Sequence, residues 1–362
     1  MSTPHLHRVL GIPLLVGYGI GVIVGAGIYV LVGEVVAAAG VFAPLSFLLA
    51  GALATLIALC YGDLAARFPE AAGAPAYVRE AFGSDLLSRL VGLGVAAVVA
   101  TSTAAVARGS AGYAQVFLDI PGPAIAGGLC VASALIACLN VRQSVTLAAA
   151  MSAVEVGGLL LIVAAGWSDL PPPGDLAGAL PSLARSFDMP GVAAGVFLAF
   201  FAYIGFENMA NMAEEARDAR RTMPAAMLIS LALSTALYLL VVAVAVAAMR
   251  GGGSVSGAAP LLAVGRNAAW YSPAAFAAVA LIAVSNGVLI EIIMLSRLFY
   301  GMARRGWLPS WFGAVDARTS TPIRATLAAG AGVLALTLTL RAAQAAAAAS
   351  AATLLVFAVV AA

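Results

Sequence analysis

The segment that most constrains this chain is an apolar run, residues 12–36, with three glycines at its centre. As a helix rising about 1.5 Å per residue, the run is long enough to cross a bilayer. Gly21, Gly25 and Gly27 weaken the helix at mid-membrane depth, where freed backbone groups are tolerated mainly beside a cavity or a ligand. The run therefore predicts a broken membrane helix next to a pore or a binding site. A second interpretation is close helix packing through the four-residue spacing of Gly17, Gly21 and Gly25.

Composition assigns the whole chain to the membrane. Of its 362 residues, 63 % are apolar and 9 % are charged, so the charged surface that a soluble protein needs is missing. We predict an all-α membrane protein of about ten helices, forming one transmembrane domain over residues 1–362. The predicted spans are residues 12–36, 42–66, 87–117, 123–140, 145–166, 191–213, 224–249, 273–302, 322–340 and 345–362.

A polar-leaning connection, residues 167–190, divides the predicted helices into two sets of five. The first helix of the second set is also interrupted, because residues 200–207 bring a glycine and a carboxylate to mid-membrane. Interrupted helices at matching places in two halves of a chain are typical of inverted-repeat transporters. We therefore predict one repeat over residues 11–166 and a second over residues 191–362. The halves share no residue-level identity, so the repeat rests on architecture.

The arginines indicate the orientation of the chain, whose 18 basic residues are all arginines. With a cytoplasmic N-terminus, the cytoplasmic segments hold Arg67, Arg79, Arg89, Arg142, Arg217, Arg220, Arg221, Arg304, Arg305, Arg318 and Arg324. The opposite side holds Arg185, Arg250, Arg266 and Arg341. The positive-inside rule therefore predicts a cytoplasmic N-terminus in a multi-pass protein of the plasma or inner membrane, in contact with membrane lipid.

The two predicted breaks together form a site for a small zwitterion. A broken helix leaves free N–H groups at the start of one half and free C=O groups at the end of the other. The amides of Gly25, Ala26 and Gly27 would attract a carboxylate, and the carbonyls of residues 200–202 would attract an ammonium group. A zwitterion with both groups on one carbon fits this pair. Small residues such as Ala26 and Ala202 leave room for bulky substrates.

Aromatic side chains surround the second break. Phe200, Phe201, Tyr203 and Phe206 could cover the ligand and close one side of the site. The alternative is that these rings only pack.

Carboxylates within the spans are the candidates for ion coupling. An ionised side chain at the membrane centre costs about 2.5–3.5 kcal/mol on insertion scales and needs a partner or a proton. Glu207 and Glu155 could each take up and release a proton during transport, because burial favours the protonated carboxyl. The structural alternative for Glu155 is an ion pair with Arg108. Glu34 and Glu291 are weaker candidates for ion coupling. The carboxylates are also compatible with a substrate that has a cationic side chain.

Polar oxygens in the eighth span raise the question of a sodium site. Ser285 and Asn286 lie near its middle and could either coordinate sodium or satisfy the helix backbone. The second interpretation is favoured, so Ser285 is only a weak sodium-site candidate. No other metal, no cofactor and no nucleic-acid partner is predicted.

Four stretches resemble the amino acid–polyamine–organocation family of permeases. They are residues 21–32 (GVIVGAGIYVLV), 200–215 (FFAYIGFENMANMAEE), 220–224 and 296–309 (SRLFYGMARRGWLP). The similarity runs over the whole chain. It implies a LeuT-type inverted-repeat fold of five plus five helices, with the first and sixth broken. It also implies import or exchange of amino acids by alternating access.

The resemblance assigns roles to individual residues. It implies that the substrate carboxylate binds the amides of residues 25–27 and that the amine binds carbonyls around Ile23 and Phe200. Phe201 matches a gating ring, and Glu207 matches a glutamate thought to respond to protons. The predicted substrate contacts are Ile23, Gly25, Ala26, Gly27, Phe200, Phe201, Ala202 and Ile204.

Two features depart from the family pattern. Some members place a lysine in the fifth span in the role of sodium, whereas this chain has Glu155 in that neighbourhood and no lysine. Proton coupling through Glu155 is therefore our hypothesis. Members usually have twelve spans, whereas this sequence ends inside its tenth.

The sequence thus predicts a secondary transporter of amino acids that is coupled to protons or works by exchange, with sodium less favoured. The alternatives are an amino-acid-gated channel and a membrane sensor that binds without transport. An enzyme is not expected, because the sequence has no nucleophile–base pair, metal-ligand cluster or phosphate loop.

Overall fold

A computed structural model of the chain describes residues 11–68, 73–139, 141–172, 187–250, 259–316, 319 and 321–361. Helices without any strand make up the secondary structure of these residues. The α-helices are α1 (Ile12–Ile23), α2 (Ala26–Ala39), α3 (Ala43–Arg67), α4 (Gly73–Phe82), α5 (Asp85–Ala114), α6 (Gly122–Ala137), α7 (Val141–Gly166), α8 (Met189–Phe200), α9 (Ala219–Arg250), α10 (Pro273–Arg304), α11 (Ile323–Thr339) and α12 (Ala342–Ala361).

The lengths and apolar surfaces of these helices are those of a membrane bundle. Seven helical stretches in the described part of the chain are long and apolar enough to cross a membrane, and further apolar helices are shorter. A helix satisfies its backbone hydrogen bonds internally, and it must do so because the hydrocarbon core of a bilayer offers no hydrogen-bond partners. Every predicted span coincides with one or two of these helices, so the all-α bundle predicted from the sequence is confirmed.

Side-chain caps fix where several helices begin. The hydroxyl of Ser84 accepts a hydrogen bond from an N–H in the first turn of α5, and Ser272 does the same for α10. The carboxylate of Asp188 caps α8 in the same way. Each cap satisfies one of the N–H groups that have no partner inside the helix.

Both predicted interruptions are present. Between α1 and α2, Gly25 has an extended backbone, with φ −92° and ψ −165°. After α8 the chain makes a 3-10 turn, Phe201–Tyr203, passes through Gly205 at φ +125°, and continues as a 3-10 helix, Phe206–Glu215. Residues with a side chain rarely adopt such a φ, which explains the glycine at this position.

The two halves of the chain pack against each other around the breaks. Helices α1 and α3 pack on α9, α2 packs on α8, and α5 packs on α10 and α12. Each of these contacts joins an element before residue 167 to one after residue 188. The broken segments therefore lie at the centre of one bundle.

Some sequence-based expectations concern residues outside the described ones. These are Arg185, Arg318, the side chains of Arg142 and Arg250, and most of the connection between α7 and α8. The orientation of the chain in the membrane therefore stays a prediction.

Candidate functional site

The two helix breaks touch each other. A Cβ atom added to Gly205 would lie 2.8 Å from the carbonyl oxygen of Val22, just before the first break. A Cβ atom added to Gly27 would lie 3.1 Å from the Cα of Ala202. Only residues without a side chain allow two backbones to approach this closely. The ends of α1, α2, α8 and the 3-10 helix Phe206–Glu215 therefore meet at one point.

The start of α2 offers backbone N–H groups to this point. Gly25 supplies no side-chain cap, and both Gly25 and Gly27 line the adjoining cavity. The first N–H groups of a helix have no partner inside it, and they carry the positive end of the helix dipole. The N-terminus of α2 can therefore hold an anionic group such as a carboxylate.

One tyrosine hydroxyl lies within hydrogen-bond distance of a backbone carbonyl at each of the two breaks. The hydroxyl of Tyr238, from α9, lies 2.7 Å from the carbonyl oxygen of Ile23 and 2.8 Å from that of Ala202. Tyr238 is fully buried, and a buried tyrosine hydroxyl needs a hydrogen-bond partner. Sequence reasoning missed this residue, although a tyrosine inside an apolar span is itself a signal of a polar contact.

The breaks border a cavity with a volume of about 70 Å³. Its lining comes from both breaks and from α5, α7 and α10. The described lining residues are Gly21, Val22, Ile23, Gly25, Gly27, Val98, Val99, Ser102, Val106, Glu155, Phe201, Ala202, Ile204, Gly205, Glu207, Asn208, Asn286, Gly287, Ile290, Glu291 and Met294.

Most of the predicted substrate contacts meet at this cavity. The residues that line it are Ile23, Gly25, Gly27, Phe201, Ala202 and Ile204. Phe200 is buried instead, with its ring centroid 6.5 Å from that of Phe357. Ala26 begins α2, and its side chain lies outside what the structure describes.

The aromatic residues of the second break divide between lining and packing. Phe201 borders the cavity, and its ring lies beside Gly27. Tyr203 donates a hydrogen bond to the carbonyl of Phe47 at 3.0 Å, and Phe206 packs edge-on against Tyr61. The geometry for covering a ligand thus belongs to Phe201, and the other rings are packing residues.

Three carboxylates line the cavity, and each is held by a different partner. Glu207 accepts a hydrogen bond from the N–H of Gly205 at 2.9 Å. Glu155 accepts one from the amide of Asn286 at 3.3 Å. Glu291 accepts one from the hydroxyl of Ser102 at 3.0 Å. Glu291, a weaker candidate in the sequence, therefore shares the site with the two stronger ones.

The cavity wall holds three buried hydrogen-bond acceptors without a partner among the described atoms. Oε1 of Glu155, Oδ1 of Asn286 and Oε2 of Glu291 are buried without a hydrogen-bond partner among the described atoms. Glu155 and Asn286 are each only 1 % exposed. Because buried polar atoms are nearly always paired, such acceptors favour a ligand that brings donors.

Arg108 does not neutralise these carboxylates. Its Nε donates a hydrogen bond to the carbonyl of Leu340 at 2.8 Å, at the end of α11. The cavity-lining residues that the structure describes include no arginine. The expected alternative of an ion pair between Glu155 and Arg108 is therefore wrong.

The weak sodium-site candidate does not face the cavity. Ser285 is half-buried and is absent from the described lining, whereas its neighbour Asn286 lines it. Asn286 donates to the hydroxyl of Ser152 at 3.2 Å as well as to Glu155. The polar group that α10 supplies at this depth is thus Asn286.

A comparison with known protein families shows to which family the chain belongs. The model of the family described as "Amino acid permease" matches residues 11–362. The chain belongs to the amino acid permease family. This is a family of permeases, in keeping with the resemblance seen in the sequence.

Relatives in plants and bacteria are similar over most of the chain. A protein named "Cationic amino acid transporter 4, vacuolar" from Arabidopsis thaliana is 31 % identical over 335 residues, which cover 87 % of this chain and 56 % of that protein. An uncharacterized transporter of Mycobacterium bovis is 30 % identical over 333 residues, covering 91 % of this chain and 73 % of that protein. The chain thus spans less than two thirds of the length of the plant relative.

A solved structure has the same fold. It is the substrate-bound, outward-open state of a Na⁺-coupled sialic acid symporter, with a TM-score of 0.58 and 10 % sequence identity. The match covers 96 % of this chain and 74 % of that protein. At this identity the likeness concerns the fold alone, and it confirms the predicted LeuT-type bundle.

Proposed function

We propose that this protein is a secondary transporter that moves α-amino acids across a membrane by alternating access. The observation that carries the proposal is the meeting of two broken helices at a central cavity, with free amides at one break and carbonyl oxygens at both. Broken helices from two repeats form the central substrate site in transporters of this architecture. Membership in the amino acid permease family supports the same activity.

The two breaks recognise the two charges of the amino acid backbone. The substrate carboxylate binds the N–H groups at the start of α2, at Gly25, Ala26 and Gly27. The amine binds near the carbonyl oxygens of Ile23 and Ala202, where the hydroxyl of Tyr238 now donates. Tyr238 therefore shares these carbonyls with the amine of a bound substrate.

Coupling runs through protons carried by Glu155 and Glu207, or the protein works by exchange. Both carboxylates reach the cavity, and Glu155 has one oxygen without a partner there. Its polar neighbours are Asn286 and the Tyr29 hydroxyl, which donates to its main-chain carbonyl at 2.5 Å. Phe201 closes over the occupied site. Sodium coupling through Ser285 is less favoured, because Ser285 does not line the cavity.

The relatives and the charge pattern support a proposal for the substrate and the location. Relatives named cationic amino acid transporters support an amino acid substrate with a cationic side chain. The arginine distribution supports a cytoplasmic N-terminus in the plasma or inner membrane. The chain acts as one transmembrane domain with repeats over residues 11–166 and 191–362.

Uptake into proteoliposomes tests the proposal. The twenty amino acids are each presented to vesicles containing the purified protein, with and without an inward proton gradient. We expect concentrative uptake of at least one amino acid, or exchange against a preloaded one. Binding without any transport, or flux that only follows the substrate gradient, would instead identify a sensor or a channel. Empty vesicles are the control.

A further inference from the structure

A serine and a glutamate form a polar pair in the wall between α5 and α10. The hydroxyl of Ser102 donates to Oε1 of Glu291 at 3.0 Å, and both residues line the cavity. Oε2 of Glu291 is buried and has no hydrogen-bond partner within the described ranges. Ser102 therefore holds one carboxylate oxygen and the Thr103 hydroxyl also lies near the carboxylate, while Oε2 can accept a hydrogen bond from a ligand.

The rest of this wall is apolar. On α5, Val99 and Val106 lie on the same face as Ser102, and on α10, Ile290 and Met294 lie beside Glu291. Such side chains suit the aliphatic stem of a lysine or an arginine, whose charged end needs a polar partner. The wall thus combines an apolar surface with one acidic group.

Two further residues of the cavity wall also have unpartnered acceptor atoms. Glu155 and Asn286 are each 1 % exposed, and each has an unpartnered oxygen although both line the same cavity. Glu155 and Asn286 lie on another side of the cavity, near α1. Asn286 bonds Ser152, and the Cβ of Ser152 is 3.4 Å from the position of a Cβ added to Gly21 of α1. A ligand with donors at both ends would satisfy both sides.

We propose that Glu291, positioned by Ser102, binds the positive charge on the side chain of the substrate and so selects amino acids with a cationic side chain. The proposal rests on the proposed function and deepens it. Glu207 is less suited to this role, because its carboxylate accepts from the N–H of Gly205 at the helix break and, unlike Glu291, it is not among the described residues with a buried, unpartnered oxygen. The helix breaks bind the carboxylate and the amine of the amino acid, and Glu291 binds the charged end of its side chain.

Pairs of substrates that differ mainly in the side-chain charge test this assignment. Lysine is compared with norleucine, which keeps the carbon stem but lacks the ammonium group, and arginine with the neutral citrulline. We expect the wild type to prefer the cationic member roughly tenfold or more in kcat/KM for uptake, since a buried charge pair discriminates strongly. Glu291→Gln should reduce that preference about tenfold and change norleucine uptake less than about twofold. Ser102→Ala should reduce it by a smaller factor, about two- to tenfold.

Matched variants outside the cavity control for the chemical change itself. Glu34→Gln alters a carboxylate of α2, and Ser110→Ala alters a hydroxyl of α5 that donates to Ala107. Neither residue is part of the described lining, so both variants should keep the wild-type preference. The ratio of lysine to norleucine uptake is measured within each preparation, so a partly misfolded variant does not mimic the effect.

The outcomes separate this inference from the proposed function. Equal uptake of lysine and norleucine by the wild type would overturn the inference and leave amino acid transport intact. A proportional loss of both substrates in Glu291→Gln would overturn it as well. If the wild type takes up no amino acid, the proposed function itself fails.

Discussion

The contact between the two helix breaks predicts a large effect for Gly205→Ala. Gly205 has φ +125°, a value that strains a residue with a side chain by about 1–3 kcal/mol. The new Cβ would also lie 2.8 Å from the carbonyl oxygen of Val22 and 3.2 Å from its Cγ1. Because the first of these atoms belongs to the backbone, α1 must move by a few tenths of an ångström, and such overpacking costs about 1–3 kcal/mol. Together we expect a loss of about 2–6 kcal/mol in the free energy of unfolding.

Gly157→Ala is the matched control for this substitution. Gly157 lies inside α7, and an added Cβ meets no atom within 4 Å. Removing a glycine from a helix interior should raise stability by about 0.5–1 kcal/mol. The same chemical change is therefore expected to have opposite signs at the two positions.

Unfolding in mixed micelles measures both variants. The free energy of unfolding is obtained from titration with a denaturing detergent, and amino acid uptake is measured in proteoliposomes at equal protein content. Gly205→Ala should be less stable than the wild type and should lose most of its uptake, because α1 no longer fits against the second break. Wild-type stability and uptake in Gly205→Ala would refute the contact between the breaks and the site built on it.

The remaining predictions concern the polar groups of the site. Tyr238→Phe removes the donor shared by the carbonyls of Ile23 and Ala202, and it should lower the free energy of unfolding by about 1–3 kcal/mol in the same titration; an unchanged value would show that the hydroxyl contributes nothing there. Glu155→Gln should leave uptake that no longer responds to an inward proton gradient, and a response equal to that of the wild type would reject Glu155 as the proton carrier. Arg108→Gln should keep the response to the gradient, since this side chain bonds the carbonyl of Leu340 rather than Glu155; loss of the response would contradict the structure at this position.

The sequence predicts the fold well where the information is local. The apolar runs identify every span, because a membrane helix is recognised by its length and composition. The glycines mark the two breaks because Gly25 and Gly205 sit where the backbone leaves the helix. These features need no knowledge of what packs against them.

The sequence is less informative where the site depends on how the helices rotate. Arg108 lies in the third span and Glu155 in the fifth, and Arg108 bonds the carbonyl of Leu340 at the end of α11 instead of Glu155. Tyr238 meets Ile23 across 215 residues of chain, a contact that no local pattern contains. Glu291 joins the other carboxylates only because α10 presents it to Ser102. Which face of each helix meets the cavity is set by packing between distant segments, and packing is not periodic in the sequence.

The hydrogen bond from Tyr238 to Ile23 also has a consequence for biosynthesis. The tyrosine follows the carbonyl it serves by 215 residues, so at about 5–20 residues per second the ribosome delivers it roughly 10–40 s later. During that interval the first five predicted spans contain the interrupted backbone between α1 and α2, which lipid cannot hydrogen-bond. The nascent half-bundle must therefore keep its gap hydrated or sheltered by the insertion machinery until the second half is made.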